Sequence, residues 1–286
     1  MAELGVLQDE GGLRLLRMFT SDAAARTHAF RVHHHTEYEL GLILSGEGRY
    51  LAGKDKAYEI RAGDVFFYKN SEPHCITDIA EPGMSLLNLH ISPIYFKHLG
   101  VGEAGDFGID FMQKTFPSNR LGDFLSPADM EAVEDALRQI AAEFTASAEA
   151  HAFMIQSCLN RALITLSRAA LPTSARPSVH RSNTERIFGT AAYIDRHYTE
   201  PLTLSELAQS VSLEKTYFSA LFKRVIGLSP CEYITVKRVE RAVYLLKSTD
   251  DSVLDIAVAC GFNNTANFNK LFKKYAGTVP KSIRRH

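Results

Sequence analysis

The sequence predicts a multidomain chain: an N-terminal all-β barrel, a helical segment, and a C-terminal all-α domain built from two similar halves. Three observations predict it. At 286 residues the chain has room for about two domains of roughly 100–200 residues each. Short β-favouring runs between Gly- and Ser-containing turns fill residues 28–92, whereas apolar residues recur every three or four positions beyond residue 127. The charge also changes sign: residues 1–182 carry 17 Lys and Arg against 23 Asp and Glu, and residues 183–286 carry 15 against 10. An acidic half joined to a basic half points to two different partners.

Composition narrows the class. At 45% apolar and 23% charged, the chain is neither disordered nor fibrous. No stretch approaches the roughly 18 apolar residues of a membrane span, so no membrane partner is expected. The start, Met1 to Gly5, lacks a basic segment followed by an apolar run, and a secretory signal is not expected. Cys75, Cys158, Cys231 and Cys260 lie far apart without a CxxC pair. They read as buried small side chains in a reducing cytoplasm rather than as a disulfide or zinc framework.

In the β region, Leu40 to Leu44 is an apolar run ended by the turn Ser45-Gly46-Glu47-Gly48. Val65 to Tyr68 and Leu86 to Ile91 are further strands, the former led by Ala62-Gly63-Asp64. Short strands at this spacing suit a small barrel or sandwich. Met130, Val133, Leu137, Ile140 and Phe144 then form one helical stripe, and Ile155, Leu159, Ala162, Leu166 and Ala169 a second. These stripes either pack on the barrel or on each other, or pair with a second copy of the chain. Two prolines and several small polar residues make 172–183 a linker.

The basic half is a run of short helices with clear ends. Thr203-Leu-Ser-Glu206 and Ser229-Pro-Cys-Glu232 fit capping boxes, in which hydroxyl and carboxylate satisfy helix N-terminal amides reciprocally. Ser252 can cap a helix from Val253, and Gly227 ends the helix that runs to about Val225. Val236, Val239, Val243 and Leu246 share one face of the long central helix. Phe218-Ser-Ala-Leu-Phe-Lys223 aligns with Phe268-Asn-Lys-Leu-Phe-Lys273, an internal repeat offset by 50 residues. Each copy reads as a helix-turn-helix unit, and such a pair can place two helices in successive major grooves.

Here the chain resembles the AraC/XylS family of bacterial transcription regulators over its last 100 residues. The resemblance rests on Arg238-Val-Glu-Arg-Ala242, Leu245-Leu246, Ile256-Ala257, Gly261-Phe262, Phe268, Phe272-Lys273, Gly277 and Pro280. Val279 departs from the Ser or Thr usual before that proline, which weakens a local cap. By alignment, the resemblance implies DNA contacts at Lys215, Thr216, Ser219, Ala220, Lys223 and Arg224. In the second unit it implies them at Thr265, Ala266, Asn267, Asn269, Lys270, Lys273 and Lys274. Asn suits adenine and Lys suits guanine, whereas the first helix is poorly armed for direct readout. Arg284 is a further phosphate candidate.

Phe30-Arg-Val-His33-His34-His35-Thr-Glu-Tyr-Glu39, with Gly63-Asp64 and Pro73-His74 downstream, looks like a pair of cupin motifs. On a strand, His33 and His35 share a face while His34 points away. With Glu39 and His74 they offer three imidazoles and a carboxylate, ligands suited to a divalent transition metal (Fe, Ni, Zn or Mn). The same neutral groups suit hydrogen bonds to sugar hydroxyls. Arg31 suits a carboxylate clamp, and Tyr68 a ring contact. Arg31, His33, His35, Glu39, Tyr68 and His74 are therefore the candidate effector residues. Asn88 and His90 share one strand face, inner or outer.

The resemblance thus implies a cupin-like effector-sensing barrel over 1–125, a helical dimerisation segment over 126–171, and a DNA-binding domain over 184–286. It implies a cytoplasmic, bacterial, non-enzymatic regulator, nucleoid-associated when bound to double-stranded DNA. The implied partners are a small-molecule effector (a sugar or other metabolite), a second copy as homodimer, and RNA polymerase. The rival reading is a metal-sensing regulator, or a metal-dependent cupin enzyme on His33, His35, Glu39 and His74.

Overall fold

The computed structural model describes residues 2–8, 14–27, 32, 35–52, 56–70, 72–99, 107–171, 181–276 and 278–283. They fall into two compact units, residues 1–30, 37–69 and 76–178 in the first and residues 31–36, 70–75 and 179–286 in the second.

The first unit contains nine strands: β1 (Ala2–Gln8), β2 (Arg14–Ala23), β3 (Arg26–Thr27), β4 (Tyr38–Ser45), β5 (Glu47–Ala52), β6 (Lys56–Arg61), β7 (Val65–Tyr68), β8 (His74–Ile79) and β9 (Met84–Ile91). They make two sheets, ordered β1-β2-β9-β4-β7 and β3-β8-β5-β6. The predicted strands are present. β1 and β2, however, precede residue 28, where the β pattern was read to begin. The β2 sequence Arg14-Leu-Leu-Arg-Met-Phe buries its apolar residues in pairs, not alternately, and so hides its period.

Strand alternation divides the larger sheet into two apolar faces. Ile43, Phe66, Tyr68, Met84 and Leu86 meet Tyr50, Ala52, Ile60, Ile76 and Ile79 of the smaller sheet in one core. The Tyr50 ring stacks on Phe66 and Tyr68 at 5.1 and 5.3 Å between centroids. The opposite face carries Tyr38, Leu40, Leu42, Phe67, Leu87 and Leu89, all buried. There Tyr38 and Phe67 contact Phe96 of a 3-10 turn (Pro93–His98) and Phe111 of α1 (Phe107–Gln113). Gly46, at φ +87°, makes the β4–β5 turn where any Cβ would strike the Gly83 carbonyl.

Helices α2 (Pro127–Ala146) and α3 (His151–Ala169) follow as predicted. Val133, Leu137, Ile140 and Phe144, and Ile155, Leu159, Ala162 and Leu166, are buried where the helices pack together and against the sheet. Both stripes are thus used within one chain. What α3 leaves outside is Phe153, Met154 and Ile164, at 76, 47 and 39% exposure.

The second unit holds α4 (Arg181–His197), α5 (Leu204–Ser210), α6 (Lys215–Ile226), α7 (Pro230–Ser248), α8 (Val253–Ala259), α9 (Thr265–Ala276) and a 3-10 turn (Pro280–Ser282). Of the expected linker, 172–180 lie outside the described residues, and Arg181 already opens α4. Both capping boxes form: Thr203 with Glu206, and Ser229 with Glu232. Ser252 caps α8, and Gly227, at φ +91°, ends α6. Val279 makes no side-chain cap at the last turn, as its departure from Ser or Thr led us to expect.

α7 is the spine of this unit. Its Tyr233 packs on Phe222 of α6, and its Val236, Val239, Ala242 and Leu246 share a core with Ile256, Phe268 and Phe272. Arg238 donates to the carbonyls of Tyr198 (2.6 Å) and Glu200 (2.7 Å) and covers the Phe262 ring at 5.8 Å. That ties the segment after α4 to α7 and to the second helix-turn-helix unit. Cys75, Cys158 and Cys260 are buried as expected, but Cys231 is exposed near the start of α7.

Candidate functional site

Two sites are built by these elements, one in each unit. In the second unit, α5–α6 and α8–α9 are the two helix-turn-helix units. Each second helix buries one stripe: Phe218, Leu221, Phe222, Val225 and Ile226 in α6, and Phe268, Phe272 and Tyr275 in α9. A 3.6-residue period then forces the positions between outward. Lys215, Thr216, Ala220 and Lys223 of α6 are exposed, while Ser219 and Arg224 are half-buried. Thr265, Ala266, Asn267, Asn269, Lys270, Lys273 and Lys274 of α9 are all exposed. Lys274 is partly engaged by its neighbour, since its Nζ donates to the Tyr275 hydroxyl at 3.0 Å. Arg284 lies outside the described residues.

The outward face of α6 includes a residue the sequence reading passed over. Tyr217 is 49% exposed in the first turn of α6. The 50-residue offset pairs it with Asn267, and that pairing was the signal available. The helix starts also differ. Glu214 caps α6 by accepting from the Tyr217 N–H at 2.9 Å. Backbone N–H groups of Thr216 and Tyr217 hold its carboxyl below the usual carboxylate range. At α9 the neutral Asn264 Oδ1 accepts from the Asn267 N–H at 3.0 Å.

In the first unit the strand register decides which polar groups face inward. Glu39 pairs with His90 of β9 and with Tyr68 of β7, and Gly41 pairs with Asn88 and Phe66. Ile43, Phe66, Tyr68 and Leu86 belong to the core between the sheets. Glu39, Asn88 and His90 share that face by alternation, so the inner alternative holds for Asn88 and His90. Glu39 Oε2 lies 3.2 Å from His90 Nε2. A Cβ on Gly41 would lie 3.2 Å from Asn88 Oδ1 and 3.7 Å from Glu39 Oε1. Glycine there keeps the polar groups uncovered.

Of the four metal-ligand candidates, His35 and His74 belong to the second unit and Glu39 to the first. The His35 and His74 rings meet edge to face at 5.1 Å. His74 Nδ1 is 2.8 Å from the Glu72 carbonyl, and Arg14 pairs with Glu37 at 2.6 Å. Imidazoles and a carboxylate suit a divalent transition ion. Arg31 and His33 lie outside the described residues. Tyr68 is fully buried in the ring stack with Tyr50 and Phe66.

Both ends of the chain match known domain families. Residues 16–163 match the model of the AraC-like ligand binding domain, and residues 207–286 match a helix-turn-helix domain. The chain is 26% identical over 264 residues to the HTH-type transcriptional activator RhaS of Pectobacterium carotovorum, covering 90% of this chain and 88% of that one. It is 25% identical over 262 residues to the melibiose operon regulatory protein of Escherichia coli K12, covering 88% and 83%. Its fold is similar to that of ToxT from Vibrio cholerae, solved with an unsaturated fatty acid, at TM-score 0.59 and 14% identity over 94% of this chain and 95% of that one.

Proposed function

Because this chain belongs to the AraC family of transcriptional regulators, we propose that it reads double-stranded DNA with α6 and α9 and answers to a small hydroxylated effector held in its barrel. The observation that carries the reading is the repeat itself: two helices of one design, each with its aromatic stripe buried and its polar stripe exposed. A helix of this kind fits the major groove, and two of them fit half-sites about 34 Å apart. Lys223 and Lys273 follow the base-reading turns and suit phosphates.

The effector reading is supported by the inner face of the larger sheet, where Glu39, Asn88 and His90 stand beside the Tyr50–Phe66–Tyr68 ring stack. Hydrogen-bonding groups beside aromatic faces suit a sugar or similar metabolite, and the melibiose regulator among the relatives agrees with that class. The effector acts only by binding one of two conformations better than the other. A coupling of the usual size changes DNA affinity by about 5–150-fold. A metal-responsive variant of this reading rests on the donor types His33, His35, Glu39 and His74, three imidazoles and a carboxylate. We assign no catalytic role: the relatives compared are regulators, and the barrel groups serve binding.

The regulator is proposed to work in the cytoplasm, through RNA polymerase, as a homodimer. Among the described residues no helix is long and apolar enough to cross a membrane. Since the buried stripes of α2 and α3 are used internally, a second copy would meet the Phe153, Met154 and Ile164 face. The test of the whole reading is a fluorescence titration of labelled operator DNA with the full chain, repeated with a panel of sugars, small acids and Fe, Ni, Zn or Mn salts. A shift of the binding curve by one class identifies the effector. No shift with any of them counts against the barrel as the sensor.

A further inference from the structure

The second unit takes in two short pieces of chain that precede its helices by more than a hundred residues, 31–36 and 70–75. Within the first piece Thr36 is fully buried. It donates its backbone N–H (3.0 Å) and its hydroxyl (3.3 Å) to the Glu240 carboxylate Oε1 on α7. Within the second piece the Asn70 side-chain amide donates to the Ile226 carbonyl, at the end of α6. That carbonyl is one of the last four of a helix, which find no partner inside it. Any Cβ on Gly227, the next residue, would strike the Asn70 amide, so glycine keeps this approach open. One piece therefore grips the end of the first recognition helix. The other grips the helix that carries both helix-turn-helix cores.

Both pieces run straight into the candidate effector face. Glu39 and Tyr68 oppose each other on the β4–β7 ladder, and so form one rung. Thr36 stands three residues before Glu39, and Asn70 stands two residues after Tyr68. Even fully extended, three residues span at most about 10 Å and two about 7 Å. Connections this short hold little slack. A shift of the Glu39–Tyr68 rung is passed along them to Thr36 and Asn70, and from there to α7 and α6.

We propose that the Thr36–Glu240 and Asn70–Ile226 contacts are the coupling latch of this chain. A ligand at the Glu39–Tyr68 rung and DNA at α6 and α9 act on each other by favouring different states of these two contacts. The proposal rests on the reading that the barrel senses an effector and that α6 and α9 bind DNA. Asn70 and Glu240 are positioning residues, acting through the ends and flanks of α6 and α7.

Coupling is reciprocal, so DNA alone reads the latch and no effector is needed. The experiment is hydrogen exchange of the full chain with and without an operator duplex selected from a randomised library, beside titrations of the same duplex. Wild type is compared with Asn70→Ala, Glu240→Ala and Glu240→Gln. In wild type, DNA should change exchange across 36–45, the Thr36 amide included, by about 5–150-fold. Asn70→Ala and Glu240→Ala should shift operator affinity within the same range, both in one direction, and abolish the response of β4 to DNA. Glu240→Gln should stay near wild type, because its amide still offers an acceptor. Asn70 is half-buried and uncharged, so Asn70→Ala keeps the test open if Glu240→Ala unfolds. Exchange across 36–45 that ignores DNA would overturn the proposal. So would equal shifts in Glu240→Gln and Glu240→Ala with none in Asn70→Ala, the mark of a lost negative charge and nothing more. A wild type that selects no sequence would instead overturn the DNA-binding reading beneath it. A latch that answers to DNA, in a chain whose affinity no small molecule shifts, would uphold the latch and overturn the sensing reading.

Discussion

Glu39 and His90 oppose each other across the β4–β9 ladder, with the carboxylate oxygen 3.2 Å from the imidazole Nε2 and Glu39 only 4% exposed. A buried acid on the inner face of the sheet must be hydrogen-bonded to be tolerated. Removing it takes a hydrogen-bond partner from His90. Glu39→Ala should therefore destabilise the N-terminal unit by about 1–3 kcal/mol in urea unfolding, and Glu39→Gln by less, because the amide still offers an acceptor. Equal losses in the two variants would argue against that pairing.

Lys223 sits on the outward face of α6, one turn beyond the proposed base contacts. If it meets a phosphate, Lys223→Ala weakens binding alike on every sequence. It also lowers the slope of log affinity against log salt by about one. Titrations at several salt concentrations read this directly. A change in base preference with an unchanged salt slope would show that Lys223 is a base reader instead.

Ser229 and Glu232 close the capping box of α7, which carries both helix-turn-helix cores. Ser229→Ala should cost about 0.5–2 kcal/mol at neutral pH. The cost should also depend on pH. Hydrogen bonds from the Ser229 hydroxyl, and then from its backbone, hold the Glu232 carboxyl below its ordinary 4.5. A carboxyl lowered on folding contributes stability that is fully present above that value and lost as pH falls through the folded one. The wild-type advantage over Ser229→Ala should therefore shrink in acid, as unfolding curves from pH 7 down to pH 3 would show. A difference constant across that range would contradict the cap.

The four thiols should differ in reactivity. Burial pushes Cys260 up to about 11 and raises Cys75 and Cys158 as well, whereas Cys231 is exposed. A thiolate-selective reagent near neutral pH should label Cys231 first and Cys260 only on unfolding. Rapid native labelling of Cys260 would contradict its place in the core.

The helical half was legible in the sequence because its signals are local. Thr203 with Glu206, Ser229 with Glu232, Ser252 and Gly227 each act within one turn, and each acts where its residue type predicts. The repeat sets the outward faces too, and its offset places Tyr217 opposite Asn267. The barrel was legible only in part. Its central strands announce themselves, but β2 buries adjacent residues and has no clean period. Period two puts Asn88 and His90 on one face without saying which. The long-range register, Glu39 opposite His90, makes that choice, and no local pattern carries it. The stripes of α2 and α3 were periodic and therefore visible. What they pack against depends on the tertiary fold.

The central claim is that this chain recognises a particular DNA sequence. The most direct measurement is the affinity of the full chain for its selected operator and for the same bases scrambled, at one physiological salt concentration. Binding to the operator should be tighter by at least about a thousandfold. Equal affinity for the two would contradict it, and would leave α6 and α9 as no more than a basic surface.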